Sequence, residues 1–169
     1  MRNLTIRNII RIIALLALQI LILNNVYLGA YIHPFIYVMF ILMLPNKMGK
    51  VYILLASFAA GLSVDIFSNM LGFHACAATV VAFCRITFAD RIITRAEDIS
   101  IPMPSIFTVL PQYFLYYSGL LLMIYYLVYF SLETFSISDI FNIILGSILS
   151  TIATLIMIVV WQLIFLHKK

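Results

Sequence analysis

Residues 47–91 read KMGKVYILLASFAAGLSVDIFSNMLGFHACAATVVAFCRITFADR. Two apolar runs, 51–67 and 72–89, are separated only by Ser68, Asn69, Met70 and Leu71. A connection this short makes the runs neighbours in an antiparallel helical hairpin. Lys47 and Lys50 precede the first run, Arg85 and Arg91 end the second, and the turn has no cation. Inner connections of membrane proteins retain Lys and Arg because these resist translocation. The turn is therefore expected outside the cell and the open ends of the hairpin inside.

The rest of the chain continues this alternation. Arg2, Arg7 and Arg11 precede or enter the first apolar run, Arg95 lies in the fourth connection, and Lys168 and Lys169 close the chain. The first, third and fifth connections have none, so all 10 basic residues fall on one side. The expected fold is all-α, a compact bundle of six transmembrane helices over about 9–23, 31–45, 51–67, 72–89, 106–130 and 139–166, with both termini cytoplasmic. It forms a single integral membrane domain over 1–169. The first run has the basic front of a signal peptide, but residues 24–30 make a poor cleavage site, so it is read as a retained helix.

Composition agrees. The chain is 65% hydrophobic and 9% charged, against about 45–50% and about 25% in soluble domains, and its mean hydropathy is +1.16. Six spans of ~20 residues leave only short loops and no room for a second domain. A net charge of +4 and a pI near 9.2 could suit nucleic acid. Basic groups that flank apolar runs are instead met by anionic lipid headgroups, so no nucleic-acid partner is expected.

Helix ends and contacts follow from single residues. Pro34 fits a first helical turn, Pro45 a helix stop, and Pro111 a kinked start to the fifth span. Small residues spaced by four mark close helix contacts in lipid. They recur as Ala56, Ala60 with Ser57, Gly61; as Ala75, Thr79 with Ala78, Ala82; and as Gly146, Ser150, Thr154 with Ser147, Thr151. These three helices are expected to form the packed centre. The first span, rich in Ile and Leu, is expected to face lipid or a partner. Tyr113, Tyr116 and Tyr117 at one end of the fifth span, and Tyr125, Tyr126 and Tyr129 at the other, read as interfacial belts; a ligand-stacking box is the alternative. Cys76 and Cys84, roughly 12 Å apart along one helix, are too distant for a disulfide and read as small packing residues.

Asp65 is the most informative carboxylate. It sits in the last turn of its run, where a helix C-terminus disfavours negative charge unless a partner is present. His74 begins the next run across the turn, so an Asp65–His74 hydrogen bond would tie the hairpin. The alternatives are a proton relay, a ligand site or a partner contact, since ionisable groups in spans are functional candidates. Gly72 suits a positive φ after the turn, and Asn69 could cap the fourth helix. His33 reads as solvated, Asn24 and Asn25 as the first outer turn, and Glu133 and Asp139 as outer-loop acids, Asp139 favouring the start of the sixth helix. In the longest inner loop Arg91 and Arg95 would share a helical face. They read as an amphipathic turn in contact with lipid, or as a docking surface for a cytoplasmic protein.

Catalytic signatures are missing from the sequence. It has no Gly-x-x-x-x-Gly-Lys-Ser/Thr loop, no Gly-x-Ser-x-Gly elbow and no His-Glu-x-x-His. No catalytic residue, metal ligand or cofactor is expected. Without broken helices repeated in both halves, a secondary transporter is disfavoured.

The stretch Gly61-Leu62-Ser63-Val64-Asp65 and, beyond the turn, Gly72-Phe73-His74-Ala75 resembles the signature of MreD, the rod shape-determining membrane protein family. That signature is a Gly, an Asp four residues on, and a turn ending in Gly-x-His-Ala. Gly61, Asp65, Gly72 and His74 carry the resemblance; six spans and cytoplasmic termini agree with it. It implies a non-enzymatic scaffold of the cell-elongation machinery in the bacterial inner membrane, associated with MreC, with the MreB filament system and, through them, with RodA and its partner transpeptidase. The family is also similar in fold to the substrate-binding membrane subunits of energy-coupling-factor vitamin transporters, which implies a cavity opening outward near Asp65 and His74. A vitamin-binding subunit is thus the alternative function. Such subunits dock their transport partner through Ala-x-x-x-Ala on the first helix. Here Ala14 and Ala17 are three apart and Leu18 stands where the second Ala would be.

Overall fold

The computed structural model describes residues 13–23, 32–45, 48–93, 104–108, 110–135 and 139–166. Among these residues the fold is all-helical, with no strand. The helices are α1 (13–21), α2 (Val38–Leu42), α3 (Lys50–Ser68), α4 (Phe73–Ile93), α5 (Pro111–Thr134) and α6 (Ile140–Leu166). Of these, α3, α5 and α6 are long and apolar enough to cross a membrane, and the apolar part of α4, Phe73–Phe88, is shorter. Arg2, Arg7, Arg11, Asn24, Asn25, Lys47, Arg95, Lys168 and Lys169 lie outside the described residues.

Local chemistry sets the ends. Helix α3 starts after Gly49 and stops at Asn69, whose left-handed backbone (φ 53°) returns its N–H to the Asp65 carbonyl. Asn is one of the few side chains that tolerate this conformation. Asn69 thus ends α3 rather than capping the fourth helix. Pro111 sits at the first position of α5, after Leu110, where its missing N–H costs nothing and its fixed φ suits the helix. Before it, 104–108 makes its own turn, with the Thr108 hydroxyl accepting from the Ser105 N–H at 2.8 Å and Gln162 Oε1 accepting from the Ile106 N–H at 2.9 Å. Helix α6 starts directly after Asp139.

Helix α3 packs on α4, α4 on α5 and α5 on α6, while α2 lies against α4 and α5. Ser57, Ala60 and Gly61 of α3 and Ala75, Ala78 and Ala82 of α4 are buried, as small residues at a close crossing should be. The matching stripe of α6, Gly146, Ser147, Ser150 and Thr154, is buried too, but against α5 and residues 33–35: Gly146 lies beside the Phe130 ring, and Ser150 and Thr154 accept from the 33 and 35 amides. The centre is therefore formed by α4, α5 and residues 35–44, not by α3, α4 and α6. Helix α1 buries one side, including Leu15 and Gln19, while Ile13, Leu21 and Ile22 are exposed.

The largest departure from expectation is the second span. The run 31–45 reads as one helix, yet α2 has only 5 residues. Residues 32–35 are not helical and 36–37 form a turn. Every residue of 35–44 is nevertheless buried. Non-helical backbone is tolerated at such depth only where protein surrounds it and satisfies its polar groups.

Candidate functional site

Gly61, Asp65, Gly72 and His74 converge on the α3–α4 turn. The Asp65 side chain, 1% exposed, reaches from the last turn of α3 to the first turn of α4. Its Oδ1 accepts from the His74 N–H at 3.1 Å and its Oδ2 from the Ala75 N–H at 2.8 Å. The first amides of a helix have no partner within it and carry partial positive charge. The carboxylate at the wrong end of α3 is thus at the right end of α4. Its own carbonyl accepts from the Met70 N–H at 2.9 Å, so one residue ties both sides of the turn.

Two glycines make this geometry possible. Gly72 has φ +90°, a conformation that costs Gly almost nothing and other residues much more. A Cβ on Gly61 would lie 2.5 Å from the His74 carbonyl oxygen and 2.7 Å from the Ala75 Cα. Only a hydrogen atom fits where α3 crosses α4, and this close approach brings Asp65 within reach of the amides.

The expected Asp65–His74 hydrogen bond forms, but through the His74 backbone. The imidazole, 2% exposed, points into the bundle, where its Nδ1 and the Tyr125 hydroxyl are hydrogen-bonded at 2.6 Å. Tyr125 in turn pairs with the Tyr37 hydroxyl at 2.7 Å. Rings pack around this polar chain: Phe35 edge-on to His74 and Tyr129 tilted against it, both with centroids 4.6 Å away. Phe35 also stacks on Tyr126 at 5.6 Å. The space beside His74 is thereby filled by rings from residue 35 and α5. His33, expected to be solvated, is half-buried, with Phe130 edge-on at 5.9 Å.

This corrects the belt reading of the tyrosines. Tyr117, Tyr125, Tyr126 and Tyr129 are buried, whereas Tyr116 is exposed. A tyrosine can enter an apolar interior when its hydroxyl finds a partner, and each of these does: Tyr117 donates to the Leu42 carbonyl at 3.2 Å, Tyr126 to the His33 carbonyl at 2.8 Å, and Tyr129 to Glu133 at 3.5 Å.

Arg85 departs further from expectation. Counted in the sequence among the inner-side cations that end its run, it lies inside α4 and is buried, 1% exposed. Its Nε donates to the Leu42 carbonyl at 3.5 Å and its guanidinium also to the Leu44 carbonyl. The guanidinium therefore sits at the C-terminal end of α2, whose carbonyls carry partial negative charge. The α4 helix extends past Arg91 to Ile93, so the backbone of Arg91 is helical. Cys76 is exposed and Cys84 half-buried, so only Cys84 packs as a core residue would.

Arg85, Gln19 and Gln162 were legible in principle, since a charged or amide side chain inside an apolar run calls for a buried partner. Among the described residues no group of three His, Cys, Asp or Glu side chains could hold a metal ion. No family model, curated protein or solved structure matches the chain.

Proposed function

We propose that this chain is a non-enzymatic membrane scaffold of the bacterial cell-elongation machinery, acting in the manner of MreD. In this reading it spans the inner membrane six times with both termini in the cytoplasm, as a compact bundle like the energy-coupling-factor substrate-binding subunits. It holds the transmembrane helix of MreC and supports, through MreC and the MreB system, RodA and its transpeptidase. Arg91 and Arg95 contact anionic lipid or a cytoplasmic partner.

One observation carries the reading. All four residues of the family-like motif are mechanical parts of one turn. Asp65 commits both oxygens to backbone amides. His74 is enclosed by rings, Gly61 permits a helix crossing, and Gly72 a backbone angle. Such a motif serves the shape of a bundle rather than the turnover of a substrate.

Affinity purification of the tagged chain from membranes of rod-shaped cells tests it. Recovery of MreC, with rounding of cells on depletion of the chain, supports the scaffold. Absence of MreC overturns it, and a vitamin-sized molecule in the purified sample by mass spectrometry replaces it with the transporter subunit. Cysteine labelling of positions 47 and 169 on opposite membrane faces would overturn the topology.

A further inference from the structure

We propose that the α3–α4 turn lies within the lipid rather than above it. Ile66, Phe67 and Leu71 then contact acyl chains of the outer leaflet, and Asp65 caps α4 below the membrane surface. The assignment to the outer leaflet rests on the topology proposed above; the depth rests on the helices themselves.

Helix lengths set the depth. Helix α3 has 19 residues, roughly 28 Å at helical rise. The apolar part of α4, Phe73–Phe88, is roughly 24 Å long. Both fall short of a hydrocarbon core about 30 Å thick. Lys50 opens α3 and holds that end at the opposite headgroups, because a cation is costly in hydrocarbon. The turn therefore stops short of the far headgroups. Helices α5 and α6, with 24 and 27 residues, are roughly 36 and 40 Å long and run on past it. Their register gives the end that projects. His74, in the first turn of α4, meets Tyr125 and Tyr129, and α5 continues from Tyr129 to Thr134, roughly 8 Å further. Gly146 lies beside Phe130, and α6 begins at Ile140, so it projects at the same end.

Chemistry follows the same step. On the projecting ends Ser131, Glu133, Thr134 and Asn142 are exposed, and Glu133 calls for headgroups or water. The turn instead exposes Ile66, Phe67 and Leu71. Residues 66–72 carry no charge, and their polar side chains, Ser68 and Asn69, are neutral. Lipid offers no water to backbone groups, so protein must satisfy them. Asp65 does this for the turn: its carbonyl takes the Asn69 and Met70 N–H, and its carboxylate takes those of His74 and Ala75. In water these amides would need no buried carboxylate.

Thiol labelling of Leu71→Cys and Phe135→Cys, each in a Cys76→Ala, Cys84→Ala background, tests the proposal. Leu71 is 90% and Phe135 80% exposed, so neither substitution disturbs the core and only lipid can shield one thiol more than the other. In lipid nanodiscs both membrane faces are open to a hydrophilic maleimide, so the rate reports depth alone. The reactive species is the thiolate, which apolar surroundings suppress. Relative to their rates in SDS, Leu71→Cys is expected to react slower than Phe135→Cys by at least about tenfold. Equal relative rates overturn the proposal, whichever face the turn is on. Intact spheroplasts test the topology separately. Labelling of Phe135→Cys from outside supports the outer leaflet; labelling only after lysis overturns that assignment and the topology beneath it, and leaves the nanodisc result to decide the depth.

Discussion

Asp65 and His74 face each other across a four-residue turn, and the carboxylate of one takes the backbone N–H of the other at 3.1 Å while the imidazole bonds elsewhere. The two residues therefore have separable tasks. Asp65 starts a helix, and His74 joins that helix to α5.

Asp65→Ala removes the acceptor of two helix-start amides in a buried site. The expected loss is about 2 kcal/mol of stability, the upper part of the range for an N-terminal cap. Asp65→Asn retains one acceptor oxygen and should lose less. Thermal melting of the purified chain in detergent, followed by tryptophan fluorescence, ranks the three proteins. A melting temperature for Asp65→Ala equal to that of the wild type would show that the cap contributes nothing.

Gly61→Ala inserts a methyl group where 2.5 Å separates the new atom from a backbone oxygen. Backbone cannot yield as a side chain can, so α3 and α4 must part, at a cost of about 3 kcal/mol, the top of the overpacking range. Gly119→Ala is the control. Its Cβ would meet only the Leu155 Cδ1 at 3.5 Å, and the better helix propensity of Ala should make it neutral or stabilising by up to about 1 kcal/mol. The same melting assay separates the two; equal effects would contradict the close crossing.

Much of this hairpin was legible because its determinants are local. A Gly four residues before Asp65, a short turn and Gly72 before His74 are enough to place the carboxylate near the next helix. What was misread depends on distant residues. The partner of the His74 ring is Tyr125, 51 residues away, and a tyrosine near a span end looks the same in sequence whether it faces headgroups or the core. Charge alternation counts Arg85 only as one more inner-side cation at the end of its run, yet the C-terminal carbonyls of α2 make a buried site for it. Likewise an apolar run carries no mark of where its helix stops when other helices supply the missing hydrogen bonds, so 32–37 passed for part of a regular span.

Gly72→Ala isolates a backbone effect, because no atom lies within 4 Å of the added Cβ and only the φ of +90° opposes it. The expected cost is roughly 1–2 kcal/mol, the usual penalty of a left-handed conformation for an L-residue. Gly72→Asn should be milder, since Asn enters this region more readily than Ala. Urea titration of the two variants in mild detergent checks the order; Ala as well tolerated as Asn would mean that the turn relaxes.

Tyr125→Phe removes the hydroxyl that joins His74 to Tyr37, leaving two buried groups without that partner, and should cost about 1–3 kcal/mol. Tyr37→Phe ends the chain one link earlier and leaves the His74–Tyr125 bond in place, so it should cost less. In the double variant the Tyr37 hydroxyl is no longer present to be stranded. The combined loss should therefore fall short of the sum of the single losses by about 1 kcal/mol, within the usual range for directly bonded pairs. A double-mutant cycle on unfolding free energies measures this term. Strict additivity would mean that the two hydroxyls, 2.7 Å apart, do not act on each other and that the aromatic packing around His74 holds the cluster without them.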